Sequence, residues 1–350
     1  MRRFVCPRCD NEVYFDSLAC VNCDTGLILD PTTERFLALG GESAAPCSNR
    51  EETGCNWVAM DGLDRCIACA HNRTIPDLSN DANRTSFRRI DLARRQLFYA
   101  ILKWRLPHPL VAGGPHAPLI FDFLADDPDS SRQVLTGHAG GVITLNIAEG
   151  DDAERERRRT AMNEPYRTLV GHMRHEIGHY YWEVLVRDDH HLDRFRELFG
   201  DEREDYGLAL QRHYEQGPPA GWTSRFISSY ASSHPWEDFA ESWAHYLHMV
   251  DTLETAFAYG LQWRAGRPQE DGLRAAALAF PTYGAVLDID FNAYHTRDWT
   301  GLRDAWLPLT LALNALNRSI GQPDLYPFAP PPPALEKLGF VHNLLHGQSP

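Results

Sequence analysis

The pentapeptide His175-Glu176-Ile177-Gly178-His179 limits what this chain can fold into more than any other stretch. Two histidines four residues apart reach one metal ion only from one face of a helix, so the segment around them is predicted to be helical. Leu169, Met173, Ile177, Tyr180, Tyr181 and Val184 recur at helical spacing, and no proline interrupts them. Glu176 sits beside the first histidine and cannot reach the same coordination position. It is placed instead to take a proton from water activated by the metal. Gly178 weakens the helix slightly but leaves room for a close neighbour near the metal. Since the chain carries 16 histidines, such a motif can arise by chance, and the downstream sequence has to support it.

That support is Tyr230-Ala-Ser-Ser-His-Pro-Trp-Glu-Asp-Phe-Ala-Glu241 and the apolar periodicity that follows it. Pro235 suits a helix start, and Glu237 and Asp238 suit its first turn. Glu237 and Glu241 lie one turn apart on a shared face. A catalytic zinc takes three protein ligands and keeps one open position. Glu237 can supply the third ligand, and Glu241 can accept a hydrogen bond from a ligating histidine.

Two histidines on one helix and a glutamate on a later one resemble the gluzincin group of zinc metallopeptidases. Glu-x-x-x-Glu with a tyrosine seven residues ahead is similar to the pattern in anthrax lethal factor. The resemblance implies Glu237 as ligand, Glu241 as its outer hydrogen-bond partner and Tyr230 as a donor to the oxyanion. With its cysteine-rich start, the whole chain also resembles a bacterial family described as zinc-binding metallopeptidases. The catalytic resemblance covers residues 140–250 and leaves the substrate open.

Cys6-Pro-Arg-Cys9 and Cys20-Val-Asn-Cys23 are two Cys-x-x-Cys pairs separated by ten residues. Each pair lets a tight turn present two thiolates to one tetrahedral zinc, which predicts a zinc ribbon, with Val13, Tyr14 and Phe15 as strand material. The redox use of such a pair needs a strand-to-helix context that is absent here. Cys47, Cys55, Cys66 and Cys69 suggest a second structural site, with interleaving between the two sets left open. Four thiolates leave no open position, so neither set is expected to be catalytic.

The remaining expectations follow the chain in order. His71 reads as a solvated loop residue. Residues 81–106 read as a helix with a solvated basic face that includes Arg84, Arg88, Arg89, Arg94, Arg95, Lys103 and Arg105. Residues 119–124 and 142–147 read as strands, with Gly137, Gly140 and Gly141 between them, and 142–147 as the edge strand that would hold a peptide. His138, His245 and His248 are expected to be structural or outer partners. Residues 195–216 read as a single helix, 270–320 as helices with Trp299 and Trp306 in the core, Pro330 to Pro333 as an extended strap, and 334–345 as a short amphipathic element.

The expected fold class is α+β. A small zinc-ribbon region at 1–75, with two four-cysteine sites, precedes a mostly helical zincin-like domain with a small mixed sheet at 76–325, and a proline-rich strap closes the chain at 326–350. One catalytic and one or two structural zinc ions are expected. A net charge of −14 disfavours a nucleic-acid coat. No run of about 18 apolar residues is present to span a membrane. The start Met1-Arg-Arg-Phe-Val-Cys6 has no apolar signal region, which points to the bacterial cytoplasm. The expected function is peptide-bond hydrolysis on a peptide or protein substrate. Its rival is an inactive zincin whose ribbons bind protein or nucleic acid.

Overall fold

Each cysteine knuckle is shaped first by its own backbone. In the computed structural model, which describes residues 2–41, 44–126, 134, 136–161, 168–188, 191–261, 263–264, 286–287 and 291–348, the Cys6 N–H donates to Asn11 O at 2.8 Å and the Cys20 N–H to Thr25 O at 2.9 Å. Asp10 and Asp24, which close the knuckles, take the left-handed region at φ 59° and 56°. Asp is one of the few side chains that tolerates it. Strand β1 (Phe4–Val5) pairs antiparallel with β2 (Glu12–Val13), and β3 (Leu27–Asp30) with β4 (Arg35–Ala38). The cysteines form two separate sets, Cys6, Cys9, Cys20, Cys23 and Cys47, Cys55, Cys66, Cys69, rather than interleaved ones. Tetrahedral zinc with bonds of about 2.3 Å needs sulfurs about 3.7–3.8 Å apart. The Sγ separations are 3.7 Å for Cys6–Cys23, 3.6 Å for Cys9–Cys20 and 3.6 Å for Cys55–Cys66. These match a zinc tetrahedron and are far too long for a disulfide.

Short helices α1 (Arg50–Thr53) and α2 (Ile67–Ala70) lead to strand β5 (Asn72–Thr74) and to the long helix α3 (Asp81–Lys103). The basic face of α3 is solvated only in part: Arg88, Arg89 and Arg105 are exposed, as its composition suggested, but other residues of that face are not. Arg94 and Arg95 are buried, and both pair with Asp91. Arg94 Nη2 also lies 3.3 Å from Cys69 Sγ, where its charge offsets that of the thiolates. Arg88 donates to Glu52 O at 2.7 Å and Glu51 O at 3.0 Å, satisfying carbonyls at the end of α1, and Arg89 donates to Gly150 O at 3.0 Å. Arg94 and Arg95 are therefore committed inside the fold, while Arg88 and Arg89 bind carbonyls from its surface. His71 is also buried rather than solvated, and its Nδ1 meets Leu119 O at 2.7 Å.

Strands β6 (Ile120–Leu124), β7 (Gly137–Ala139) and β8 (Val142–Asn146) join β5 in a mixed sheet of order β5-β6-β8-β7. β5 and β8 run parallel to β6, and β7 antiparallel to β8. The expectation that 142–147 is the edge strand is corrected: β8 lies inside the sheet, and β7 takes the edge. The turn between them requires glycine, because Gly141 has φ +86° and a Cβ there would lie 2.3 Å from Pro118 O. A 3₁₀ turn (Ile147–Gly150) then leads to helix α4 (Asp152–Ala161).

Helix α5 (Leu169–Trp182) carries the histidine motif and is capped by Thr168, whose hydroxyl accepts the Gly171 N–H at 3.0 Å. Met173, Ile177, Tyr180 and Tyr181 are buried. The segment expected as one helix at 195–216 is two, α6 (Leu192–Phe199) and α7 (Tyr206–Gln216), broken at Gly200. Helix α8 (Pro235–Ala258) starts at the proline, as the sequence implied. Here the His234 Nδ1 accepts the Trp236 N–H at 3.1 Å. Helices α5 and α8 cross where Gly178 meets Ala240, and Tyr181 stacks on Trp243 with ring centroids 5.0 Å apart.

The ribbon, the sheet, α3 to α7 and the start of α8 form one compact unit, Phe4–Leu247 with Ala329–Pro350. Its last helix, Pro332–Leu345, includes two residues expected to be extended, Pro332 and Pro333, which suit a helix start. Lys337 from that helix donates to Asp238 Oδ2 at 2.5 Å. A second unit, Met1–Arg3 with His248–Phe328, contains the helix Trp299–Ser319, where Trp306 is buried against Tyr326 but Trp299 is only half-buried. The helices expected from residue 270 lie partly outside the described residues. The class is α+β, and among the described residues no helix is long and apolar enough to cross a membrane.

A methyl group at Gly178 would stand 3.0 Å from Ala240 Cα and 3.3 Å from Trp243 Cβ. Alanine gains about 1 kcal/mol of helix propensity over glycine, but overpacking costs about 1–3 kcal/mol. Gly178→Ala is expected to lower stability by about 1–2 kcal/mol in urea unfolding. A more stable variant would show that the crossing is not close-packed.

Candidate metal centre

The helix crossing places ligand atoms from two elements face to face. His175 Nε2 lies 2.9 Å and His179 Nε2 3.5 Å from the same oxygen, Glu237 Oε2. Glu237 is 1% exposed, yet Oε2 has no hydrogen-bond partner among the described residues. A buried carboxylate oxygen with two imidazole nitrogens turned toward it, and no hydrogen bond among them, fits a cation held between the three. The three residues form one of three metal-competent groups among the described residues; the others are the two cysteine sets.

The other polar atoms of these side chains are mostly held. His175 Nδ1 meets Glu241 Oε1 at 2.8 Å, and Ser228 Oγ donates to Glu241 Oε2 at 2.5 Å. This fixes the ring so that Nε2 faces Glu237. The Tyr206 hydroxyl donates to Glu237 Oε1 at 2.6 Å, leaving Oε2 for the centre. His179 Nδ1 has no acceptor among the described residues, and its ring is held by Trp236, with centroids 4.1 Å apart.

The electrostatics describe a site that attracts a cation. Burial would lower the His175 pKa, but the Glu237 and Glu241 carboxylates on its two nitrogens drive it well up. Burial would raise the Glu237 pKa, but His179 and His175 hold it well below the usual carboxylate range. A metal ion would take the place of the proton that these groups compete for. Glu176 is 5% exposed; burial would raise its pKa, while a hydrogen bond with His172 at 3.1 Å helps to hold it down.

Of the residues singled out from sequence, His175, His179, Glu237 and Glu241 come together with Glu176 alongside. The Tyr230 ring lies 5.8 Å from that of His175, and burial pushes its hydroxyl pKa well up. His138 accepts the Gly141 N–H at 3.1 Å and packs 6.4 Å from the His179 ring; burial lowers its pKa to about 4. His245 is buried one turn beyond Glu241. Sequence reasoning missed Tyr206, Ser228, Trp236, Glu149 and His172. His172 was within reach, because it lies one helical turn before Glu176 on the same face. Nothing in the sequence marked Tyr206, which reaches Glu237 only through the tertiary fold.

Together, the paired cysteine knuckles and the two-helix histidine and glutamate centre define a zincin-like α+β protein with a zinc ribbon. The chain belongs to the family described as "Putative zinc-binding metallo-peptidase", whose model matches residues 83–344, and a zinc-ribbon domain model matches residues 3–80. It is similar to an uncharacterized protein of Mycobacterium bovis, Mb2598c, with 39% identity across 100% of this chain and 97% of that one. The uncharacterized protein Rv2568c of Mycobacterium tuberculosis shows the same 39% identity over 100% and 97% of the two chains. No solved structure matches the chain.

The Glu241 contact yields a direct test. Outer partners of a ligating histidine are worth about 10–100-fold in metal affinity. Glu241→Ala is therefore expected to weaken zinc at this centre by that factor in chelator competition while leaving the cysteine sites filled. Affinity within twofold of wild type would mean that Glu241 does not orient His175.

Proposed function

We propose that this protein is a zinc-dependent metallopeptidase that hydrolyses peptide bonds in a peptide or protein substrate. The observation that carries the proposal is the convergence of His175 Nε2 and His179 Nε2 on the unpartnered, buried Glu237 Oε2, beside Glu176 on the same helix. Zinc bound by these three residues supplies Lewis acidity, which lowers the pKa of water to about 7 and polarises a carbonyl. Glu176 takes the proton from the attacking water and returns it to the leaving amine. Tyr230 stays protonated at neutral pH, so its hydroxyl is available to donate to the developing oxyanion. Tyr206 does not compete for that role, because its hydroxyl is committed to Glu237.

The substrate would lie along β7, the sheet edge that carries His138 next to the His179 ring. An extended peptide can add to such an edge by backbone pairing. The two cysteine sets would each hold a structural zinc, and the reducing bacterial cytoplasm suits eight cysteines kept as thiols.

Zinc per chain in the purified protein tests the reading without a known substrate. Wild type is expected to hold about three ions, and His175→Ala combined with His179→Ala about two. An unchanged count of about two would mean an empty motif and favour the ribbons as binding modules. Glu176→Gln should keep all the zinc and lose turnover in a peptide-library digest. Wild-type turnover in that variant would remove Glu176 from the reaction.

A further inference from the structure

Helix α5 carries a third histidine one turn before the proposed base. His172 Nε2 lies 3.1 Å from Glu176 Oε1, and His172 Nδ1 lies 2.5 Å from Glu149 Oε2. Glu149 belongs to the 3₁₀ turn after β8 and is 1% exposed. It is fixed in turn: Thr136 Oγ1 donates to its Oε1 at 3.0 Å, Arg158 Nη1 lies 3.8 Å from the same oxygen, and Arg155 Nη1 donates to its backbone carbonyl at 2.8 Å. The result is a continuous chain from the sheet to the base: Thr136, Glu149, His172, Glu176.

The hydrogen-bond inventory sets the charge of the middle member. An ionised carboxylate only accepts, so a ring with a carboxylate on each nitrogen donates from both and is an imidazolium. Burial would lower the His172 pKa, but the Glu149 and Glu176 carboxylates outweigh it and raise the value to about 9. Among the described residues, Glu176 makes no hydrogen bond other than the one to His172. One carboxylate oxygen is thus tied to a cation, and the other is left for the reaction.

We infer that His172, held as a cation by Glu149, is a positioning residue for Glu176, fixing the orientation of its carboxylate through Oε1. The inference rests on the reading of Glu176 as the base. It places an acid–imidazole pair, with the acid buried, behind the metal motif and makes Glu149, 27 residues upstream of that base, part of the same device. A purely structural role would need only the Glu149 end of the bridge, which ties the 3₁₀ turn to α5. The Glu176 end is what a positioning role adds.

The test uses full-length protein loaded with Co²⁺, whose visible bands report the ionisation of water at the open position without any substrate. Three variants are compared with wild type: His172→Gln, Glu149→Gln and Glu176→Gln. Replacing the imidazolium removes a positive charge that favours proton loss nearby, so His172→Gln is expected to move the pH midpoint of the bands upward by about one unit or more. Cobalt content should be unchanged. Glu149→Gln, which keeps the shape of the site, should move it in the same direction and protects the test should His172→Gln fail to fold. In parallel, ¹⁵N-histidine spectra of the zinc-loaded wild type at pH 7 should show both His172 ring nitrogens protonated. A neutral His172 ring at pH 7 overturns the inference. A midpoint that moves in Glu176→Gln but not in the other two variants also overturns it while leaving the base in place. If no variant moves the midpoint, Glu176 does not sense the water, and both readings fall.

Discussion

The close crossing of two helices at Gly178 and Ala240 is the contact on which the candidate centre depends. Metal bonds of about 2 Å tolerate little slack, and two candidate ligands come from α5 while the third comes from α8. A glycine at the crossing lets the backbones approach until Glu237, three residues before Ala240, stands 2.9 Å from His175 Nε2. The aromatic residues on either side hold that distance: Tyr181 stacks on Trp243, and Trp236 lies against His179. The packing of the core therefore sets the spacing of the candidate ligands.

The same crossing buries an unusual amount of charge, and the fold manages it by pairing. His175 leads to Glu241 and Ser228, Glu237 to Tyr206, and Glu176 to His172 and Glu149. At low local dielectric each of these carboxylates would be costly without a donor. The second cysteine set is handled alike, with Arg94 on Cys69 and Asp91 balancing Arg94 and Arg95. Lys337 does this for Asp238 beside the candidate ligand Glu237 and so ties the last helix of the chain to the start of α8.

The legible parts of the sequence were those whose signal is local. A Cys-x-x-Cys turn, an i,i+4 histidine pair and a proline at a helix start are each decided within a few residues, and each stands where expected. Apart from two element bounds, at Gly200 and at Pro332, the misreadings concern what an element packs against. Arg94 and Arg95 of α3 looked solvated because composition cannot show that a thiolate set and Asn56 wait opposite them. Residues 142–147 looked like an edge because Gly137-His138-Ala139 is too short to announce itself as a strand, and only its pairing with β8 makes it one. His71 looked solvated because nothing nearby in sequence reveals that Leu119 O will accept from it.

The sequence by itself determined the candidate ligand types and the helices that carry them, since periodicity and spacing act over one or two turns. It also determined the α+β class and the cysteine-rich start. Tertiary structure decided which residues support the candidate centre and its neighbours. Tyr206, Ser228 and Glu149 come from a helix start, a loop and a turn that lie 31, 13 and 23 residues from the groups they touch. Their side chains carry no periodic signal, and a hydrogen bond of under 3 Å between such positions exists only after the helices, the sheet and the loops have packed.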